Sequence, residues 1–246
     1  MMSSPLINYT LHLADNALVL GHRNSEWTGH GPILEQDIAL SNIALDLIGQ
    51  SRNLYQYAAV LIGNGATEDS LAYLRGALEY KNCLLVEQDN GDWAKTLVRQ
   101  FLFSAYQYPL YQELIKNTDE QLAAIAEKSL KEVTYHLRWS SEWVIRLGQG
   151  TPESARRMHH AINDLWKYTG ELTIGSELEK QMSIDVSAAG EYWNERVNEI
   201  LLEAGIPVPL SVAMIQGGKF GRHTQHLQSL LEEMQGLQRS YPGAEW

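Results

Sequence analysis

From Leu34 to Ile62 the residues Leu34, Ile38, Leu45, Ile48, Tyr55, Ala59 and Ile62 return at steps of three, four or their sum, seven. Nothing else in the chain constrains its fold as tightly. That period places them along one side of an α-helix, which at 1.5 Å per residue would be about 43 Å long. Pro32 before it and Gly63 after it are suitable boundaries. A second apolar face, Ile43, Leu47, Leu54 and Leu61, widens the stripe, so the helix is expected to be surrounded by others.

Further helical segments follow. An N-terminal one spans Leu6–Trp27, and a short one, Asp69–Tyr80, carries Leu71, Leu74 and Leu78. Residues 92–117 carry Leu97, Phe101, Ala105, Leu110 and Leu114, and Pro109 is expected to kink that helix. Residues 119–147 carry Leu122, Ile125, Leu130, Val133, Leu137 and Val144, stopping at Gly148. Thr151 can cap a helix running to Leu172. Residues 187–204 and 224–239 complete the set. Period-two runs are missing, so strands are not expected. The reading is an all-α chain, a four-helix bundle with flanking helices, forming one domain over residues 1–246.

Composition narrows the function classes. A net charge of −11 argues against nucleic acid, whose phosphates demand a concentrated basic surface. It argues equally against anionic membranes. No run approaches the roughly 18 apolar residues of a membrane span. The first 25 residues lack the pattern of a signal peptide, being interrupted by Asn8, His12, Asp15 and Asn16. The single cysteine, Cys83, can form no internal disulfide, and zinc spacings are absent. A cytoplasmic location is the expectation.

A bundle of long helices raises one chemistry above others. A dinuclear iron site takes a Glu from each of two helices and Glu-x-x-His from each of two more, because residues three apart share a helix face. No acidic residue here has a histidine three positions later. The nearest approaches are Asp46-Leu-Ile-Gly49 and Glu132-Val-Thr-Tyr135, with His136 one residue late. No catalytic and no metal-ligating residue is therefore assigned. Asp46, Glu132, Tyr135 and His136 are instead expected to form a polar network where a metal would otherwise stand.

Other groups have two readings each. His22, Glu26 and His30 have the spacing of a one-sided metal site, but Gly29, Gly31 and Pro32 should end the helix first, leaving an end-of-helix polar network. The adjacent His159 and His160 must face apart. In Gly217–His226, the residues Lys219, Arg222, His223 and His226 beside a helix start can contact an anion or a partner, or simply form a glycine-permitted turn. The segment is no P-loop. Asn42, Asp46, Gln50, Asn53 and Tyr57 make a polar line on the long helix that either faces solvent or forms a hydrogen-bonded seam. No Gly-x-Ser-x-Gly elbow supports serine chemistry.

Several separated segments resemble one family. Glu35–Asn53 (EQDIALSNIALDLIGQSRN), Leu84–Gly91 (LLVEQDNG), Lys131–Arg138 (KEVTYHLR), Gly217–His226 (GGKFGRHTQH) and the terminal residues 241–246 are similar, in order, to the C subunits of bacterial ring 1,2-phenylacetyl-CoA epoxidases. The likeness runs from near Leu6 to the end of the chain. It implies a ferritin-like fold. It implies that a homologous A subunit holds the iron and epoxidises phenylacetyl-CoA, using dioxygen and electrons from an NADPH-dependent reductase that carries flavin and iron–sulfur. A B subunit belongs to the wider complex. The C subunit pairs with A and supports it, without a cofactor of its own. No catalytic residue carries over, since Gly49 and Tyr135 stand where the metal motif would be.

Two other readings remain open on the residues. One is a diverged two-metal oxygenase using Glu26, Asp46, Glu132 and His136. The other is a homodimeric helical scaffold. Trp27, Trp139, Trp143, Trp166 and Trp193 are either interface anchors or core.

Overall fold

Ser4 opens the first helix. Its hydroxyl accepts from the Ile7 N–H, and Pro5 fills the first turn, where a missing N–H is no loss. This is a computed structural model that describes residues 4–210, 212–241 and 244. Helix α1 (Pro5–Ser25) packs along α2 (Leu34–Ile62), and α5 (Trp93–Leu114) packs along α6 (Glu120–Gly148). Contacts of α2 with α6 close these two hairpins into a four-helix bundle. Asp92 and Asp119 cap α5 and α6 by accepting from the backbone N–H of Lys95 and Leu122. Helix α5 continues through Pro109, which has no N–H to give the Ala105 carbonyl.

The remaining helices flank this bundle. Between α2 and α5 lie α3 (Glu68–Tyr73), a 3₁₀ turn (Ala77–Glu79) and α4 (Leu84–Glu87). After α6 come α7 (Pro152–Leu165), α8 (Gly170–Thr173), α9 (Glu177–Gln181), α10 (Val186–Glu203) and α11 (Gln225–Ser240). Helices α7 and α10 cover α5 and α6, while α11 lies on α3 and α4. No strand occurs among the described residues. Nor is any helix there long and apolar enough to cross a membrane. The fold is all-α, consistent with a ferritin-like bundle.

Three expectations change. The first concerns α2: Leu34, Ile38 and Leu45 are exposed, while Ile43, Leu47 and Leu54 are buried. The period holds, and the core takes Ile43, Leu47 and Leu54 of the second face together with Tyr55 and Ala59 of the first, since two apolar faces on one helix give no sign of which one the core takes. The second is the expected helix Asp69–Tyr80, which breaks after α3. Arg75 turns inward to Asp15, leaving Leu74 and Leu78 exposed. The third is the helix from Thr151, which stops at Leu165 and gives way to a 3₁₀ turn (Trp166–Tyr168) before α8. Of residues 241–246, only Tyr241 and Ala244 lie within the described part.

Most of the tryptophans are core. Trp139, Trp166 and Trp193 are buried, and Trp27 and Trp143 are half-buried against the same cluster. Trp93 meets Trp27 and Trp139 edge-on, with ring centroids 5.0 and 6.4 Å apart, an arrangement the ring quadrupoles favour.

Candidate functional site

Asp46 and Gln50 stand four residues apart on α2, as do Glu132 and His136 on α6, so each pair shares a face of its helix. The two helices run antiparallel and the pairs meet. His136 Nε2 lies 3.0 Å from Asp46 Oδ2, and Gln50 Nε2 donates to Glu132 Oε2 at 2.9 Å. On its other side, Gln50 Oε1 accepts from the Tyr111 hydroxyl at 3.3 Å and from Gln107 Nε2 at 3.2 Å. Gln107 Nε2 also donates to the Tyr111 hydroxyl at 3.1 Å. Farther along, the Tyr57 hydroxyl donates to Asp119 Oδ2 at 2.6 Å. The polar line on α2 is therefore a hydrogen-bonded seam through Asp46, Gln50 and Tyr57, with Asn42 left in solvent.

The structure brings Asp46, Glu132 and His136 together but leaves Tyr135 out. Tyr135 is exposed, with the Arg138 guanidinium 5.8 Å from its ring centroid, whereas His136 is wholly buried. Gly49 is exposed as well, and Gln50 takes the inward position. Each expected inward residue is thus displaced by one, because one more residue turns a side chain about 100° around the helix. Gln107 and Tyr111 of α5 complete the seam and carried no signal in sequence, being ordinary residues on an apolar helix.

These donors do not fit a dinuclear iron centre. Such a centre needs several carboxylates and two imidazoles converging on one point. Here the central groups are two neutral amides, one phenol and one carboxylate. Burial pushes the Tyr111 hydroxyl up to about 12, which keeps its proton on. Burial also raises the Glu132 pKa, with the Gln50 hydrogen bond working the other way and Asp46 adding to the rise. No group of three or more His, Cys, Asp or Glu that could hold a metal ion occurs among the described residues. His22, Glu26 and His30 do not converge either. Helix α1 ends before Glu26, which takes hydrogen bonds from Arg23 and Asn90, and His30 is exposed beyond Gly29, whose φ is +82°. Of the adjacent pair, His159 is half-buried and His160 exposed.

A second polar region lies on the far side of α1. Four carboxylates there, Asp15, Glu87, Glu171 and Glu179, are buried. Asp15 accepts from the Tyr55 hydroxyl at 2.5 Å, the Lys81 N–H at 2.7 Å and the Arg75 guanidinium. Glu171 accepts from three backbone N–H groups, those of Leu84, Gly217 and Gly218. Gly218 must be glycine for this approach, since a Cβ would lie 2.2 Å from the Asn82 carbonyl oxygen. Glu87 caps α11, accepting from the Thr224 N–H at 2.6 Å and from its hydroxyl at 2.9 Å.

The residues expected to offer an anion contact are largely engaged in this region. Lys219 Nζ donates to Glu179 Oε1 at 2.6 Å. His223 Nδ1 lies 2.7 Å from Glu87 Oε2, and its Nε2 donates to the Tyr80 carbonyl at 2.9 Å. His226 Nε2 is 3.6 Å from Asp89 Oδ1. Arg222 alone is exposed and makes no ion pair among the described residues. An incoming anion would have to displace buried carboxylates, so the segment is a clasp and not a preformed anion cradle. Burial works against the charge on His223, and the Glu87 carboxylate outweighs it, so its pKa is raised. Burial likewise raises Glu179, but Lys219 more than reverses this and holds it at about 2.

A profile of the family described as "Phenylacetic acid catabolic protein" matches residues 1–246. The C subunit of the 1,2-phenylacetyl-CoA epoxidase of Escherichia coli (strain K12) is 46% identical over 246 residues, covering 98% of this chain and 99% of that protein.

Proposed function

The chain belongs to the phenylacetic acid catabolic protein family, and from that premise we propose that it is the supporting subunit of a multicomponent 1,2-phenylacetyl-CoA epoxidase. On this reading a homologous A subunit holds the iron and performs the epoxidation. This chain packs against A and fixes the shape of its bundle. A B subunit and a reductase with flavin and iron–sulfur, fed by NADPH, act in the same cytoplasmic complex.

The observation that carries the reading is the chemistry of the seam. Glu132, Gln50, Gln107 and Tyr111 are linked to one another by neutral donors on three helices, and a set of that kind ties a bundle together without activating dioxygen. What the chain contributes is then mechanical. A rigid surface limits how far the partner's helices can move, which matters because catalytic groups misplaced by about 1 Å lose on the order of a hundredfold in rate.

Co-expression with the A subunit tests this. The two should co-elute in gel filtration, iron should follow the A subunit, and A alone should turn over more slowly than the pair. Near-stoichiometric iron in this chain by itself, lost on Glu132→Ala, would overturn the reading. So would full activity of A alone.

A further inference from the structure

Helix α2 keeps one side open along its whole length. Leu34 is 71% exposed, Ile38 52%, Leu45 67% and Val60 77%, and all four lie on the side facing away from Ile43, Leu47 and Leu54, a side they share with the exposed Asn42, Arg52 and Gln56. In the middle of this stripe sits Gly49, also exposed. Glycine is a poor helix former in a helix interior, and nothing inside the chain explains it: a Cβ at Gly49 would meet no atom within 4 Å. A residue without a side chain at the centre of this open, partly apolar stripe lets a second helix approach closely.

The neighbouring helix supplies charge. Along α6, Lys128, Lys131, Tyr135 and Arg138 follow at steps of three, four and three, all exposed on the side that continues the α2 stripe. None of these three cations makes an ion pair among the described residues, although the chain carries a net charge of −11 and most of its other cations are paired. Acidic side chains share the face: exposed Glu127 and Glu142 stand one turn from Lys131 and Arg138, half-buried Glu132 lies near Lys128, and Asp46 is paired with His136, but none of them closes an ion pair with the three cations. Between the two helices an open groove of about 530 Å³ runs past Tyr57, Val60, Ala124 and Lys128.

We propose that this α2–α6 face is where the A subunit docks, with one of its helices crossing α2 at Gly49, apolar residues over Leu45 and Val60, and carboxylates meeting Lys128, Lys131 and Arg138. The assignment rests on the supporting-subunit reading and adds the surface through which it works. Two helices side by side, each about 10 Å across and about 43 Å long, offer on the order of 800 Å². That is one partner's share of a standard protein interface. A second copy of this chain fits less well, because a two-fold interface uses the same patch on both sides and would bring the same three unpaired cations to it twice.

Affinity for the purified A subunit, measured by calorimetry with the full-length chain, tests the proposal. Gly49→Leu adds bulk into open space and removes a poor helix former, so the free chain should keep its fold and melt at or above the wild-type temperature. Its Kd for A should nevertheless rise about tenfold or more. The triple variant Lys128→Glu, Lys131→Glu, Arg138→Glu should weaken binding further and flatten its salt dependence. Leu78→Glu, at an equally exposed leucine beside Gly221, should bind as wild type. Wild-type affinity in both face variants would sink the docking face and leave the supporting-subunit reading standing. Failure of the unaltered chain to bind A would sink both. If Gly49→Leu abolished only self-association, seen by ultracentrifugation, the occupant would be a second copy and the proposal wrong.

Discussion

Between α2, α5 and α6 the buried polar groups include two amides, a phenol and the His136 imidazole, whereas across α1 they are carboxylates with their partners. Gln50, Gln107 and Tyr111 share a few hydrogen bonds of 3.1–3.3 Å. Asp15, Glu87, Glu171 and Glu179 each take charged donors or several N–H groups at once. The buried carboxylates therefore tie segments distant in sequence to the bundle, while the bundle's own seam keeps its two acids, Asp46 and Glu132, only half-buried. A buried ion pair is a weak source of net stability, but removing one partner strands the other charge in a poor dielectric. The two regions should accordingly respond very differently to substitution.

Arg75→Met gives the largest contrast. It leaves the Asp15 carboxylate buried with only neutral donors and should destabilise the chain by about 3–5 kcal/mol in denaturant unfolding. Adding Asp15→Asn should restore much of the loss. Glu171→Gln comes next, at about 2 kcal/mol, because the amide nitrogen cannot accept from a backbone N–H. Hydrogen exchange at Leu84, Gly217 and Gly218 should speed up with it.

His223→Gln makes the comparison pH-dependent. The folded-state pKa of His223 is raised by Glu87, so its stabilisation is fully present below the unfolded value of about 6.5. It is lost as pH rises through the folded value. The gap in stability between wild type and His223→Gln should be widest near pH 6 and close in alkaline buffer. A gap that widened with pH would contradict the charged clasp. The smallest effect belongs to the seam: Gln50→Leu with Gln107→Leu and Tyr111→Phe removes the mutually bonded buried groups together, leaves half-buried Glu132 to water, and should stay within about 1 kcal/mol. If this triple variant cost as much as Arg75→Met, the distinction between the two regions would be lost.

The helices were legible because their signals are local. The α2 boundaries follow from Pro32 and Gly63, and the Thr151 cap from the spacing of its first turn. What sequence could not supply was rotation and distance. Leu45 and Leu47 are equally apolar, and only the position of α1 and α6 decides that one faces water. Tyr135 and His136 differ by one step around a helix, which settles which of them enters the seam. The clasp was hidden for another reason. Glu87, Glu171 and Glu179 look like ordinary surface acids, and their partners lie far along the chain.

That separation bears on how the chain is made. Glu87 receives its imidazole from 136 positions downstream, and Gln235 reaches back 163 positions to the Ala72 carbonyl. At ribosomal speeds of about 5–20 residues per second, the first of these waits on the order of ten seconds after Glu87 emerges. Until then α4 offers an uncovered acid to water, and truncation anywhere upstream of Thr224 yields a chain that can never close.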